Sequence, residues 1–347
     1  MLRMLYIALG LSQIVLTAGV ARAATTLDGA EFYSNDTVKF GRWEIRMRVA
    51  ATPGSVSSFF TYYNNSYLGS PEPWREIDIE VIGKNGSGFQ SNLITGNAAA
   101  KITSEAFQTA ASDLSKDFHT YVLDWTPDSI VYRIDGQTVR KNLGSEAQVK
   151  DLSDMPETYR MNLWASTTAA WAGALDPEML PVTQTVNWIA YSSYTPGQGP
   201  NGSNFTPKWT DDFNSLDTQR WSRGNWTFDG NMADFSPNNA LVSGGYLMLV
   251  LSKKGWTGTL TPSSDPQGNS RPAPIMARAG SAPFRMEAFA GRLRVYTGAR
   301  TAEISISTLD GRILERSKNK GWLQFEGLPS GLLIVHSPEG SRLVTMP

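Results

Sequence analysis

The chain has 347 residues, of which 41% are hydrophobic and 18% charged. That is enough for about two domains with a sizeable core, and it excludes wholesale disorder. A formal net charge of −1 gives no electrostatic case for nucleic acid or an anionic membrane. Cysteine is absent and only His119 and His336 are present. Disulfides, thiol catalysis and Cys-ligated zinc are therefore excluded, and a His-rich metal site or a Ser-His-Asp hydrolase is disfavoured.

Residues 1–23 read as an export signal. Arg3 gives a charged start, Leu5 to Val20 an apolar stretch, and Ala21-Arg22-Ala23 a small-x-small cleavage site. Gly10, Ser12, Gln13, Thr17 and Gly19 weaken the alternative, an uncleaved membrane anchor. The expected mature protein is secreted or at the cell surface, with no membrane span.

Residues 25–200 alternate in the manner of strands. Trp43–Val49, Ser57–Tyr62, His119–Trp125 and Ile130–Ile134 are examples, separated by turn signals such as Asp135-Gly136. The pattern predicts an all-β sandwich or barrel. Within it, Glu76-Ile77-Asp78-Ile79-Glu80 alternates acid and aliphatic. On a strand the three acids share one face and the two isoleucines the other. Trp74 falls on the acidic face and Arg75 on the opposite one. Gln90 and Asn92 follow on a candidate neighbouring strand and suit hydroxyl recognition.

Residues 195–204 are a Gly-, Pro- and Asn-rich loop, after which strand-like sequence resumes through Leu251. About 50 residues are too few for an independent all-β domain without disulfides, so this stretch is expected to complete the first sheet pair. Residues 254–275 read as a linker rich in Gly, Pro, Ser and Thr. Residues 276–347 give short strands around Asp310-Gly311 and Pro329-Ser330-Gly331 turns, which fit a small separate basic β domain.

The acidic face has two readings. Water screens a solvated polar strand at little cost. Alternatively, closely spaced carboxyls share protons unequally, as glycosidase chemistry requires. In a retaining glycosidase one carboxylate is the nucleophile and one carboxyl the acid, about 5–5.5 Å apart. Backbone spacing is roughly 6.6 Å for neighbours two apart and roughly 13 Å for residues four apart, so spacing alone leaves the pair open. The 11 Trp residues suit sugar stacking and, equally, an aromatic β core.

Here the sequence resembles glycoside hydrolase family 16, whose lichenase-type members carry Glu-x-Asp-x-Glu on a strand of a concave jelly-roll β-sandwich. The resemblance rests on Trp74–Asn85, Gly54–Phe60, Phe118–Tyr121 and Met161–Trp164 in order. Phe213–Asp217, Trp226–Asn231 and Gly245–Leu249 look like the amino-terminal strands of ordinary lichenases but follow the catalytic motif. That order is similar to the family's circularly permuted members and covers roughly residues 28–253, so the expected catalytic unit is 24–253.

The resemblance implies Glu76 as nucleophile, Glu80 as general acid/base and Asp78 as the tuning group between them. Phe60, Tyr62, Asn64, Trp74, Gln90, Asn92, Arg160, Asn162, Trp164, Trp171, Trp226 and Glu31 match cleft positions. His119 matches a structural position. A structural calcium is implied at Asn187, Asp212 and the backbone of Gly245, with no cofactor for catalysis. The unbulged motif, with no extra residue between Asp78 and Glu80, argues for the lichenase group over laminarinases, agarases and carrageenases.

These readings predict a secreted, monomeric retaining endo-glucanase acting on mixed-linkage 1,3-1,4-β-glucan. The alternatives are a 1,3-β-glucanase, a transglycosylase or another family 16 hydrolase, and a non-catalytic lectin. The tail, through Ile304–Arg312 and Gly327–Val335, resembles a sorting domain read by type IX secretion machinery, with a carbohydrate-binding module as the alternative.

Overall fold

A computed structural model describes residues 25–266, 285–289, 291–296, 302–308, 312–319, 322–337 and 340–346. The expected signal (1–23) and residues 267–275 of the expected linker lie outside the described residues. The chain is all-β, a jelly-roll sandwich of two packed antiparallel layers.

In chain order the strands are β1 (Leu27–Ser34), β2 (Gly41–Arg48), β3 (Ser55–Tyr62), β4 (Glu76–Ile82), β5 (Gly88–Asn97), β6 (Ala100–Thr103) and β7 (Ala106–Thr109). Next come β8 (His119–Thr126), β9 (Ser129–Ile134), β10 (Gln137–Leu143), β11 (Thr158–Ala165), β12 (Val182–Tyr194) and β13 (Phe205–Asp211). The sandwich closes with β14 (Trp221–Arg223), β15 (Ala233–Phe235), β16 (Ala240–Ser243) and β17 (Tyr246–Lys253).

One layer runs β1–β11–β3–β4–β5, with β6 and β7 along the far edge of β5. The other runs β16–β17–β12–β2–β8–β9–β10. The predicted Asp135-Gly136 turn joins β9 to β10, with φ of 48° and 81°. Both values lie in the left-handed region that a two-residue hairpin needs.

The core fills the space between the layers. Ile77, Ile79 and Val81 of β4 are fully buried there, facing an aromatic group of Trp43, Trp125, Tyr121 and Tyr159. Each such side chain contributes about 1.5–3 kcal/mol on burial. A one-residue slip of β4 would drive three acids into this core, so the apolar face fixes the register of the acidic one.

The stretch after the 195–204 loop belongs to the same sandwich. Strand β13 pairs with β12, β14 and β15 pair with β1, and β17 pairs with both β12 and β1. Part of the expected linker is docked as well. Asp265 has a fully buried side chain that accepts two hydrogen bonds from Arg46 at 2.8 and 2.9 Å and one from Asn187 Nδ2 at 2.7 Å. Its N–H donates to the Tyr246 hydroxyl at 2.9 Å. A free linker therefore starts no earlier than Asp265. Composition could not show this, because one buried ion pair decides it.

The tail forms two small sheets around its own core of Leu293, Val295, Ile304, Ile306, Phe325 and Val335. Three strands make one sheet and four the other.

Asp265 and Arg46 test whether the strap matters. Removing one partner leaves a buried charge uncompensated, so Asp265→Ala is expected to destabilise the protein by about 3–5 kcal/mol, measured by urea denaturation of the full mature chain. A midpoint unchanged from wild type would show the strap to be a surface contact.

Candidate active site

The acidic face of β4 opens away from the core. Glu76, Asp78 and Glu80 lie opposite Tyr62, Phe60 and Ser58 of β3 on one side. On the other side they face Ile94, Asn92 and Gln90 of β5. Strand β11 is next beyond β3 and brings Arg160, Asn162 and Trp164 onto the same face. Strand β1 adds Glu31 and Tyr33 beyond β11. Alternation across five antiparallel strands thus gathers nearly every expected cleft residue on one surface.

Hydrogen bonds separate the three acids. Trp74 Nε1 donates to Glu76 Oε2 at 2.6 Å, and Asp78 bonds Glu76 as well. The neighbours Glu76 and Asp78 are thus bonded to each other. Arg75 points the other way, as the alternation requires, and pairs with Asp154 at 2.8 and 2.9 Å.

Burial lifts all three carboxyl groups above their ordinary range, but the opposing influences differ. For Glu76 burial is offset by the Trp74 N–H, by the charges of Lys101 and Arg160, and by Asp78. For Asp78 burial is reinforced by the charges of Glu76 and Glu80, which hold its carboxyl well above the usual carboxylate range. For Glu80 burial acts with the charges of Glu76 and Glu105 and pushes it to about 8. Glu76 alone has both donors and cations, so it ionises first. Glu80 keeps its proton at neutral pH.

The walls are polar and aromatic. Arg160 donates to Glu31 Oε1 at 2.8 Å, to Asn64 Oδ1 at 2.6 Å and to Thr158 Oγ1 at 2.9 Å. Its guanidinium lies over the rings of Tyr62, Tyr33 and Trp226. Asn162 donates to Glu31 at 3.2 Å and accepts from Ser58. Glu31 is almost fully buried, so it braces the wall from below. Burial raises its carboxyl while Arg160 and Asn162 oppose that rise.

Gln90 Oε1 accepts from Trp171 Nε1 at 2.7 Å, and Asn92 Oδ1 accepts from the Ser104 N–H at 3.0 Å. Trp164 is 9% exposed and packs on Trp171 and Phe228. It forms floor more than platform, whereas Trp171 and Trp226 are half-buried.

The alternation missed several residues. Ser58 and Tyr33 lie on the cleft face two positions from assigned ones, so the period could have found them. Lys101 sits on a four-residue strand too short to show a period. Glu157 precedes β11 and is fully buried near the acidic strand. Neither of its carboxyl oxygens has a hydrogen-bond partner among the described residues, although the Thr61 hydroxyl lies alongside.

The expected metal residues lie away from the acidic face. Strand β2 takes one edge of β12 along residues 185–192. On the other edge β17 ends at Val186 and β13 begins at Ile189. Asn187 sits in that gap, fully buried, and Asp212 and Gly245 flank it in sequence next to the two pairings. Their donors are amide, carboxylate and carbonyl oxygens, which suit calcium. No group of three or more His, Cys, Asp or Glu that could hold a metal occurs among the described residues. His119 lies in the other layer on β8, bonded to Asp135 at 2.6 Å.

Residues 9–190 match the sequence profile of the glycosyl hydrolases family 16. A beta-glucanase of Fibrobacter succinogenes is 45% identical over 249 residues, covering 72% of this chain and 70% of that protein. A beta-glucanase of Brevibacillus brevis is 30% identical over 171 residues, covering 49% of this chain and 62% of that protein. The solved beta-glucanase of Bacillus licheniformis superposes with a TM-score of 0.40 at 31% identity, covering 46% of this chain and 70% of its own.

Glu157 gives a stability test. Burial is the main cause that lifts its carboxyl to about 8 in the folded protein, against about 4.3 in an unfolded chain. Below the unfolded value both states hold the proton and nothing is lost. As pH rises from there to about 8 the unfolded state alone releases it, so stability falls. Glu157→Gln is expected to match wild type near pH 4.5 and to melt several degrees higher at pH 8, followed by thermal unfolding in buffers across that range. Equal melting temperatures at pH 8 would refute the buried neutral acid.

Proposed function

The chain belongs to family 16 of the glycosyl hydrolases and is a glycoside hydrolase, and on that premise we propose that it is a retaining endo-β-glucanase cutting β-1,4 bonds in mixed-linkage 1,3-1,4-β-glucan. One observation carries the mechanism. Glu76 and Glu80 share a strand face, yet donors and cations surround the first and only like charges oppose the second. Environments that push two carboxyls apart mark a base and an acid.

Hydrolysis then runs by double displacement. Glu76 attacks the anomeric carbon while Glu80 gives its proton to the leaving oxygen, forming a covalent glycosyl-enzyme. Glu80, now ionised, takes a proton from water, which releases the sugar and restores Glu76. Asp78 donates to Glu76, which stabilises the ionised nucleophile. Tyr62, Trp171 and Trp226 offer aromatic faces to the glucan, Trp74 borders them with one face under Lys101, and Asn64, Gln90, Asn92 and Asn162 offer hydroxyl partners.

The linkage reading rests on the unbulged spacing of Glu76, Asp78 and Glu80 and on the beta-glucanase relatives. The pairing of β13–β17 into the edges of the first sheets supports a circular permutation of the catalytic unit. Asn187, Asp212 and the Gly245 carbonyl would hold a calcium that ties β12, β13 and β17 together. The apolar stretch of residues 5–20 supports secretion. No helix among the described residues is long and apolar enough to cross a membrane. The tail's own sheets and the Pro329-Ser330-Gly331 segment are compatible with a type IX sorting domain; Asp310-Gly311 lies outside the described residues.

Glu76→Ala and Glu80→Ala are each expected to lose about three orders of magnitude or more in kcat on lichenan. With azide and an activated glycoside, the first should give the α-azide and the second the β-azide. Wild-type turnover by Glu80→Ala would refute the assignment. Faster cleavage of laminarin than of lichenan would refute the linkage.

The alkaline limb of the wild-type rate should follow Glu80. Activity needs its proton, so kcat/KM is expected to fall as pH rises through about 8. A limb that stays in place in Glu80→Gln residual activity would locate the titrating acid elsewhere.

A further inference from the structure

We infer that Lys101 is a positioning residue for the nucleophile: it clamps the Trp74 indole so that the ring N–H stays on Glu76. The inference rests on the reading of Glu76 as nucleophile. Lys101 stands on β6 opposite Gly96 of β5. The Gly96 carbonyl accepts the Trp74 backbone N–H at 2.8 Å, so Gly96 brings Trp74 and Lys101 side by side. The Lys101 ammonium lies 3.3 Å from the centroid of the Trp74 ring. The indole also makes an edge-on contact with Tyr62, ring centroids 5.7 Å apart. The ring N–H then reaches Glu76 Oε2 at 2.6 Å.

A cation over an indole face is attracted by the ring's negative face and fixes the ring's tilt. It also draws electron density from the ring, which makes the N–H a stronger donor to a carboxylate. Both effects favour the ionised nucleophile. The ammonium's own charge favours it too, and that charge outranks Arg160 among the influences on Glu76. The other charged or titratable groups facing Glu76 are Asp78 and Glu80 on β4, Tyr62 on β3, Arg160 on β11 and buried Glu157. Among the described residues, Lys101 reaches Glu76 through a ring that also bonds it. Lys101 itself is exposed, so replacing it leaves the fold intact.

The experiment compares Lys101→Met and Lys101→Arg in the full mature enzyme on lichenan, alone and combined with Trp74→Phe. Lys101→Met is expected to lower kcat about two- to fivefold and to move the acidic limb of kcat/KM up by about half a pH unit. Lys101→Arg should restore both. In the Trp74→Phe background, which lacks the ring N–H, Lys101→Met should shift the limb by much less. An unmoved limb in Lys101→Met overturns the inference, including when KM alone rises, since that marks a simple sugar contact. A full shift persisting in Trp74→Phe also overturns it, because the charge would then act without the ring. Failure of the nucleophile reading is distinguishable: it appears as turnover in Glu76→Ala, whatever Lys101→Met does.

Discussion

The alternation of β4 is the constraint on which the rest depends. Ile77, Ile79 and Val81 anchor one face in the core, and that anchoring turns Glu76, Asp78 and Glu80 to the other. Neither face could move without the other, because side chains on a strand change sides at every residue. Pairing on both edges then transmits the same phase outward. Strands β3 and β5 align to β4, β11 to β3, and β1 to β11. The acid, amide, arginine and tryptophan side chains of the cleft are all set by that one register.

Protonation is the second consequence. Three carboxyl groups on one face cannot all ionise in a poorly hydrated cleft. The sandwich resolves the conflict by unequal partnering, not by distance. Glu76 has an indole N–H, a bond to Asp78 and nearby cations, whereas burial and the like charges of Glu76 and Glu105 act on Glu80. Arg160 is held by Glu31 and Asn64, so its charge stays at a fixed place beside the acids instead of swinging into solvent.

Period-2 reasoning made the acidic strand, its neighbours and the all-β class legible in the sequence. It worked because burial on one face and chemistry on the other both obey that period. It left the catalytic pair open, since backbone spacing even favoured residues two apart. The bond between Glu76 and Asp78 depends on side-chain rotamers that no spacing encodes. Three further features were illegible for the same reason. Lys101 lies on a strand too short to display a pattern. Glu157 looks like any surface acid until its burial is known. Asp265 sits in Pro- and Ser-rich sequence that composition assigns to a linker, while a single ion pair with Arg46 seats it in the sandwich.

These illegible residues have one property in common: each is an ionisable group whose placement costs stability or depends on a distant partner. A fully buried Glu157 and three desolvated acids on β4 all work against folding at neutral pH. A chain without cysteine must offset that with apolar burial and long-range polar anchors. The aromatic cluster of Trp43, Tyr121, Trp125 and Tyr159 beneath the site supplies the first. The Arg46–Asp265–Asn187 cluster supplies the second, on the layer opposite the cleft and beside the gap where β13 meets β17. The costly electrostatics thus lie on one layer and the anchoring on the other. The cleft can therefore keep carboxyl groups far from their ordinary ionisation without loosening the sheet that aligns them.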